Sequence, residues 1–162
     1  MSRAFVKEGD GEELDDPPPR PARVQPCYMT AEGVAALRRE LEQLQGAAAR
    51  PELVPDLAQQ AAAQRSLRRI RELTQILQEA VPVATGQSPG DHIRFGATVE
   101  LQDAAGHAYR FQIVGEDEAA PAAGRISWVS PLGRQLIGLA VGDEVVWPRP
   151  VGELRLEVLA FE

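Results

Sequence analysis

The run from Gly124 to Val145, GRISWVSPLGRQLIGLAVGDEV, constrains this chain more than any other stretch. Ile126 to Val129 is short and rich in β-branched and aromatic residues, which predicts a strand. Ser130 follows as a helix cap, its side-chain oxygen accepting from the first free backbone N–H groups, and Pro131 suits the first helical position. Leu132, Leu136 and Leu139 recur at helical spacing, so a helix of barely two turns has one face to bury against a sheet. Gly138 ends that helix, and Gly142-Asp143 turns the chain tightly into a further strand, Glu144 to Trp147.

The surrounding sequence supplies the rest of a sheet. Strands are expected over Ile93 to Gln102, Ala108 to Val114, Ile126 to Val129, Glu144 to Trp147 and Arg155 to Phe161, with Asp103 to Gly106 as a hairpin turn. Val99/Leu101, Phe111/Ile113 and Leu154/Leu156/Val158 alternate with polar residues and are expected to line one face. Strands with one inserted helix make this region α+β.

The N-terminal half reads differently. From Thr30, a good cap, Val34, Leu37, Leu41 and Leu44 form an apolar stripe at heptad-like spacing, with Gly46 as the expected stop. A second helix is expected from about Asp56 to Ala80, with Leu57, Ala61, Leu67, Ile70, Leu73 and Leu77 available for packing and Pro82 ending it. Joined through the proline-containing stretch 47–55, the two predict an antiparallel helical hairpin. Their rises, at about 1.5 Å per residue, are only ~25 and ~36 Å.

Charge narrows the partner. Residues 1–27 carry 4 basic and 6 acidic side chains, 28–88 carry 7 of each, and 89–162 carry 6 and 11, within an overall charge of −7. An acidic chain without a basic stripe repels phosphate backbones, so no strong autonomous nucleic-acid binding is expected and the partner should be a protein. Cys27 stands alone, which excludes a disulfide framework or multi-cysteine metal site within one chain and fits a reducing cytoplasm. No apolar run approaches the ~20 residues of a membrane helix, and the opening MSRAFVKEGDG lacks the apolar core of a secretory signal. Six acids and five prolines make residues 1–27 a disordered tail by composition. A cytoplasmic monomer, neither an enzyme nor dependent on a cofactor or resident metal, is the expectation.

The Gly124–Val145 run closely resembles the C-terminal domain of the Gre transcription elongation factors, bacterial proteins that bind RNA polymerase at its secondary channel. Phe95-Gly96-Ala97-Thr98-Val99, the strand Tyr109 to Val114 ending in Gly115, and Asp117-Glu118-Ala119 extend the likeness. Tyr28-Met29-Thr30 with Gly33, Leu37, Glu40 and Leu41 is similar to the opening of the family's first helix. With the disordered tail over 1–27 read from composition and the helical hairpin (coiled coil) over 28–82 from periodicity, a linker over 83–91 leads to the C-terminal domain over 92–162; the resemblance implies that this domain is FKBP-like, its sheet antiparallel and curved around one short helix. It also implies docking on the rim of the polymerase channel through Val129, Ser130 and Pro131, with Leu132 and Arg134 as neighbours. Many relatives carry Asp or Asn where Val129 stands.

One part of the family pattern is missing. Gre hairpins carry two acids at the tip, in a segment reading roughly Gly-Asp-x-x-Glu-Asn, which help hold a Mg²⁺ ion and its attacking water in the polymerase active site. Here the hairpin is shortened and the segment absent, leaving Glu52 and Asp56 as the sole acids near the turn. Asp56 also suits a cap of the second helix, and Glu52 a solvated acid near its start. The leading expectation is a channel-binding regulator that does not stimulate transcript cleavage. Two alternatives stand beside it: an active cleavage cofactor using Glu52 and Asp56, and, from fold analogy alone, an FKBP-type prolyl isomerase. Against the last, aromatics are only 5% of the chain.

Arg65, Arg68 and Arg69 share a helix face that is either a channel-facing basic cluster or an ordinary solvated surface. Glu116-Asp117-Glu118 is either a cation or partner contact or a solvated loop, and His92 and His107 lack the neighbours a metal site requires.

Overall fold

The computed structural model describes residues 26–49, 57–84 and 90–162. The hairpin-tip acids Glu52 and Asp56, and all of the expected tail except Pro26 and Cys27, lie outside the described residues.

The chain enters through strand β1 (Cys27–Thr30), so Cys27, assigned from sequence to the tail, belongs to ordered structure. Thr30 ends β1 with extended backbone and caps helix α1 (Ala31–Ala48), its hydroxyl accepting from the Gly33 N–H at 2.9 Å. Gly46 does not stop α1, which runs two residues further. Helix α2 (Leu57–Glu79) returns and passes directly into strand β2 (Ala80–Val83), which pairs in parallel with β1. Pro82 therefore lies inside a short edge strand, a position that needs no N–H for the ladder.

Packing in the hairpin tightens toward its base. Met29, Val34 and Ile76 are buried there, with Leu37, Leu77 and Ala80 against them. Leu73 is fully buried, Leu41, Leu44 and Ile70 are half-buried, and Leu67 and Ala61 are exposed, so the outer half of α2 does not bury the stripe expected of it.

The C-terminal part is a five-stranded sheet in the order β5-β4-β3-β7-β6. Its strands are β3 (Thr98–Asp103), β4 (Ala108–Val114), β5 (Arg125–Ser127), β6 (Glu144–Arg149) and β7 (Gly152–Phe161). Four are antiparallel neighbours, while β5 runs parallel to β4. Helix α3 (Pro131–Leu136) packs against both edge strands, β5 and β6, which requires the sheet to curl around it. Val99, Leu101, Phe111, Ile113, Leu156 and Val158 form the expected inner face, together with Ile93, Ile126, Leu132, Leu136 and Val145.

One irregularity decides the last strand. Leu101 pairs with Val158 but Glu100 with Ala160, so Leu159 is an extra residue opposite β3. The bulge reverses the alternation and turns Phe161 inward opposite Val99, where continued alternation from Val158 would have placed Ala160.

Candidate functional site

The turn from Val129 to Arg134 is built by local hydrogen bonds. Ser130 accepts at its hydroxyl from the Gly133 N–H at 3.1 Å, its carbonyl accepts from the Arg134 N–H at 2.9 Å, and its own N–H donates to the Ser127 carbonyl at 3.0 Å. Gly133 is required by the close approach of α3 to β5, because a Cβ there would lie 2.3 Å from the Ser127 carbonyl oxygen. Pro131 and Arg134 are exposed and Val129 and Ser130 half-buried, so these four form a continuous surface step. Leu132 does not join them: it is 3% exposed and belongs to the core, and the sequence assignment of Leu132 to a partner contact is corrected accordingly.

Behind this turn the two parts of the molecule meet. Trp128 packs edge-on against Tyr28 of β1, ring centroids 5.6 Å apart, and Tyr28 also meets Phe95 at 5.9 Å. Gly115 lies directly beneath β1, where a Cβ would stand 2.3 Å from the Tyr28 carbonyl oxygen.

Glu118 completes the junction. It sits in a single 3₁₀ turn, Glu116–Glu118, and is buried rather than part of a solvated acidic loop. Its Oε2 accepts from the Thr30 N–H at 2.9 Å and the Gly115 N–H at 3.0 Å, and its Oε1 accepts from the Thr30 hydroxyl. The carboxylate thereby lies at the N-terminus of α1, where unpaired N–H groups and the helix dipole favour negative charge. In a capping box the residue at the third helical position reaches back to the N–H of the cap. Here that position is Gly33, and Glu118, 88 residues away in sequence from Thr30, makes the bond instead. A Cβ on Gly33 would fall 1.8 Å from Glu118 Oε1. Thr30-x-x-Gly33 was the available sequence signal: a strong cap without its usual partner.

The three arginines of the basic cluster differ in their contacts. Arg69 does not project as a free cation: it bridges to Glu40 of α1 and Glu72 of its own helix. Arg65 is exposed and donates to the Ala61 carbonyl, and Arg68 is exposed on the same helix. Glu40 is held below the usual carboxylate range, chiefly by the hydrogen bonds from Arg69, with partial burial opposing and the charge of Arg69 assisting.

Among the described residues no group of three or more His, Cys, Asp or Glu side chains is arranged to hold a metal, and no helix is long and apolar enough to cross a membrane. His107 lies in the β3–β4 turn against Asp103, its Nδ1 3.0 Å from the carboxylate. The aromatics Tyr109, Phe111 and Trp147 pack on one another with centroids 5.3 to 6.4 Å apart, and the Arg149 guanidinium lies over Trp147.

A capped helical hairpin whose base is fastened to a curled α+β sheet domain defines the class of this molecule. Comparison with known proteins gives the family. A model described as transcription elongation factor, GreA/GreB, C-terminal, matches residues 87–162. GreA of Methylococcus capsulatus is 36% identical over 151 residues, covering 82% of this chain and 94% of that protein. GreA of Wolinella succinogenes is 37% identical over 148 residues, covering 81% and 91%. The similarity to GreB of Neisseria meningitidis, 45% over 96 residues, spans 59% of either chain. A crystal structure of GreA factor homolog 1 (Gfh1) of Thermus thermophilus is 28% identical, covers 83% of this chain and 97% of its own, and superposes with a TM-score of 0.42. On its full-length sequence relatives, this chain belongs to the GreA/GreB family of transcription elongation factors.

Proposed function

We propose that this protein binds bacterial RNA polymerase at the rim of its secondary channel and regulates transcription without stimulating transcript cleavage. Family membership supports the partner. The exposed step formed by Val129, Ser130, Pro131 and Arg134 supports the contact, because a proline-started helix end presented on a rigid sheet domain keeps its shape on binding. Val129 supplies an apolar contact where many relatives carry Asp or Asn.

The single observation that carries the regulatory reading is in the sequence: the hairpin has no Gly-Asp-x-x-Glu-Asn segment, and Glu52 and Asp56 are the sole acids near its turn. Hard oxygen ligands at the tip are what a Mg²⁺-directed role requires. On this reading the unit from residue 28 to 82, helices α1 and α2 with the strands β1 and β2 at their base, is the channel element and 92–162 is the docking element.

Retention of core RNA polymerase on the immobilised full chain tests the partner. Binding is expected, with clear loss in the double variant Pro131→Ala/Arg134→Glu, whose changes lie on the surface. No retention of the polymerase by the unaltered protein, where established channel ligands bind, would overturn the reading.

A further inference from the structure

We propose that Glu118 is a positioning residue that fixes the direction of the helical hairpin relative to the C-terminal domain, by completing the cap of α1 from the other side of the junction.

The two parts have separate cores. Met29, Val34 and Ile76 bury one, and Ile93 through Val158 the other, with no buried residue common to both. Parts joined by a small boundary move relative to one another by default. Here the boundary includes β1 lying across Gly115, the ring of Tyr28 against Phe95 and Trp128, and the Glu118 carboxylate. Aromatic contacts of this kind tolerate sliding, because their attraction changes slowly with offset. Hydrogen bonds are directional and weaken steeply when bent. Glu118 makes its bonds to both sides at once: Thr30 N–H and hydroxyl on the hairpin, Gly115 N–H within its own domain.

The cost of release is what makes the arrangement a lock. Swinging the hairpin away removes Thr30 from the carboxylate, and the cap N–H and the buried carboxylate each lose a partner. Gly33 provides no substitute, since it has no side chain with which to close the capping box locally. Glycine at this place costs helix stability relative to alanine. Its presence is accounted for by the room it leaves, as a Cβ would overlap the carboxylate. Trp128 is the immediate neighbour of Val129, so a hairpin fixed here is also fixed relative to the proposed docking turn. That this angle aims the hairpin into the channel rests on the function proposed above; the lock itself does not.

Spin labels at Glu42→Cys on α1 and Glu157→Cys on β7, in the full chain with Cys27→Ser, report the angle as a distance distribution. The unaltered junction is expected to give one narrow distribution. Glu118→Ala is expected to broaden it about twofold, the free motion of weakly joined parts. Glu118→Gln, whose amide oxygen still accepts from the Thr30 and Gly115 N–H groups, is expected to keep it narrow.

A double variant, Gly33→Glu with Glu118→Ala, separates positioning from capping. It rebuilds a capping box within α1, so helix content by circular dichroism should recover while the distribution stays broad. A narrow distribution at the original distance in Glu118→Ala, or its return in the double variant, would overturn the proposal. Should Glu118→Ala not fold, Gly33→Ala displaces the carboxylate from the hairpin side and is expected to broaden the distribution in the same way. Polymerase retention is measured separately. Loss of binding by the unaltered chain strikes the functional reading, whereas an unbroadened distribution strikes the lock.

Discussion

Arg69 and Glu40 join the two helices of the hairpin by a two-pronged ion pair, Nε to Oε1 at 2.7 Å and Nη2 to Oε2 at 3.0 Å. A planar guanidinium matched to a carboxylate in this way fixes the register of one helix against the other. Both side chains remain over one-third exposed, so water screens the pair. Glu40→Gln is therefore expected to cost at most about 1 kcal/mol in urea unfolding, and Arg69→Lys nearly as much, because lysine cannot reproduce the fork. A loss several times larger would mean that the pair is far better shielded than its exposure implies.

Gly33→Ala offers a sign test. In an isolated helix the substitution stabilises by up to about 1 kcal/mol. In this molecule the added methyl meets Glu118 Oε1 at 1.8 Å, and the expected outcome is destabilisation by about 1–3 kcal/mol. In the Glu118→Ala background the clash is gone and the same change should be neutral or stabilising. A double-mutant cycle by chemical denaturation reads the difference directly.

Asp103 organises the β3–β4 turn. Its carboxylate accepts from the Ala105 and His107 N–H groups, both at 2.9 Å, and from the His107 ring and the Tyr109 hydroxyl. Desolvation in the turn raises its pKa, but the hydrogen bonds from His107 and Ala105 and the attraction to His107 together outweigh that and leave it below the ordinary value of 3.8. A depressed carboxyl contributes stability that is complete above its unfolded pKa and lost as pH falls through the folded one. Acidification below about pH 4 should therefore erode stability in the unaltered protein, and part of that slope should vanish in Asp103→Asn. Thermal melts of both proteins between pH 6 and roughly pH 2 provide the check. Identical slopes would remove Asp103 from the acid response.

RNA release from backtracked polymerase complexes decides between regulator and cleavage cofactor. The unaltered chain is expected to leave the release rate at its intrinsic level, and Glu52→Gln/Asp56→Asn should change nothing. Stimulation by the unaltered chain that disappears in the double variant would return these two acids to the centre of the mechanism.

Much of the fold was legible because it is written in local chemistry. Thr30 and Ser130 are strong caps, Pro131 starts a helix, and the alternation through Val99, Leu101, Phe111 and Ile113 specifies an inner face. These signals act over a few residues, which is the range at which sequence patterns report structure. The candidate turn was legible for the same reason, except at Leu132. Leu132 belongs to the helical stripe of Leu136, and the stripe placed it in the core.

The sequence by itself determined the capped helices, the alternating strands and the family, since each depends on neighbours in the chain or on a linear motif. Only the tertiary structure decided the parallel β1–β2 pair, the reversal at Leu159 that turns Phe161 inward, and the role of Glu118. In a row of three acids nothing distinguishes the one that will be buried. Beyond the local Gly115 N–H, Glu118 acquires its partners only when a strand from the far end of the chain brings Thr30 to it, and a hydrogen bond spanning 88 residues leaves no periodicity to read.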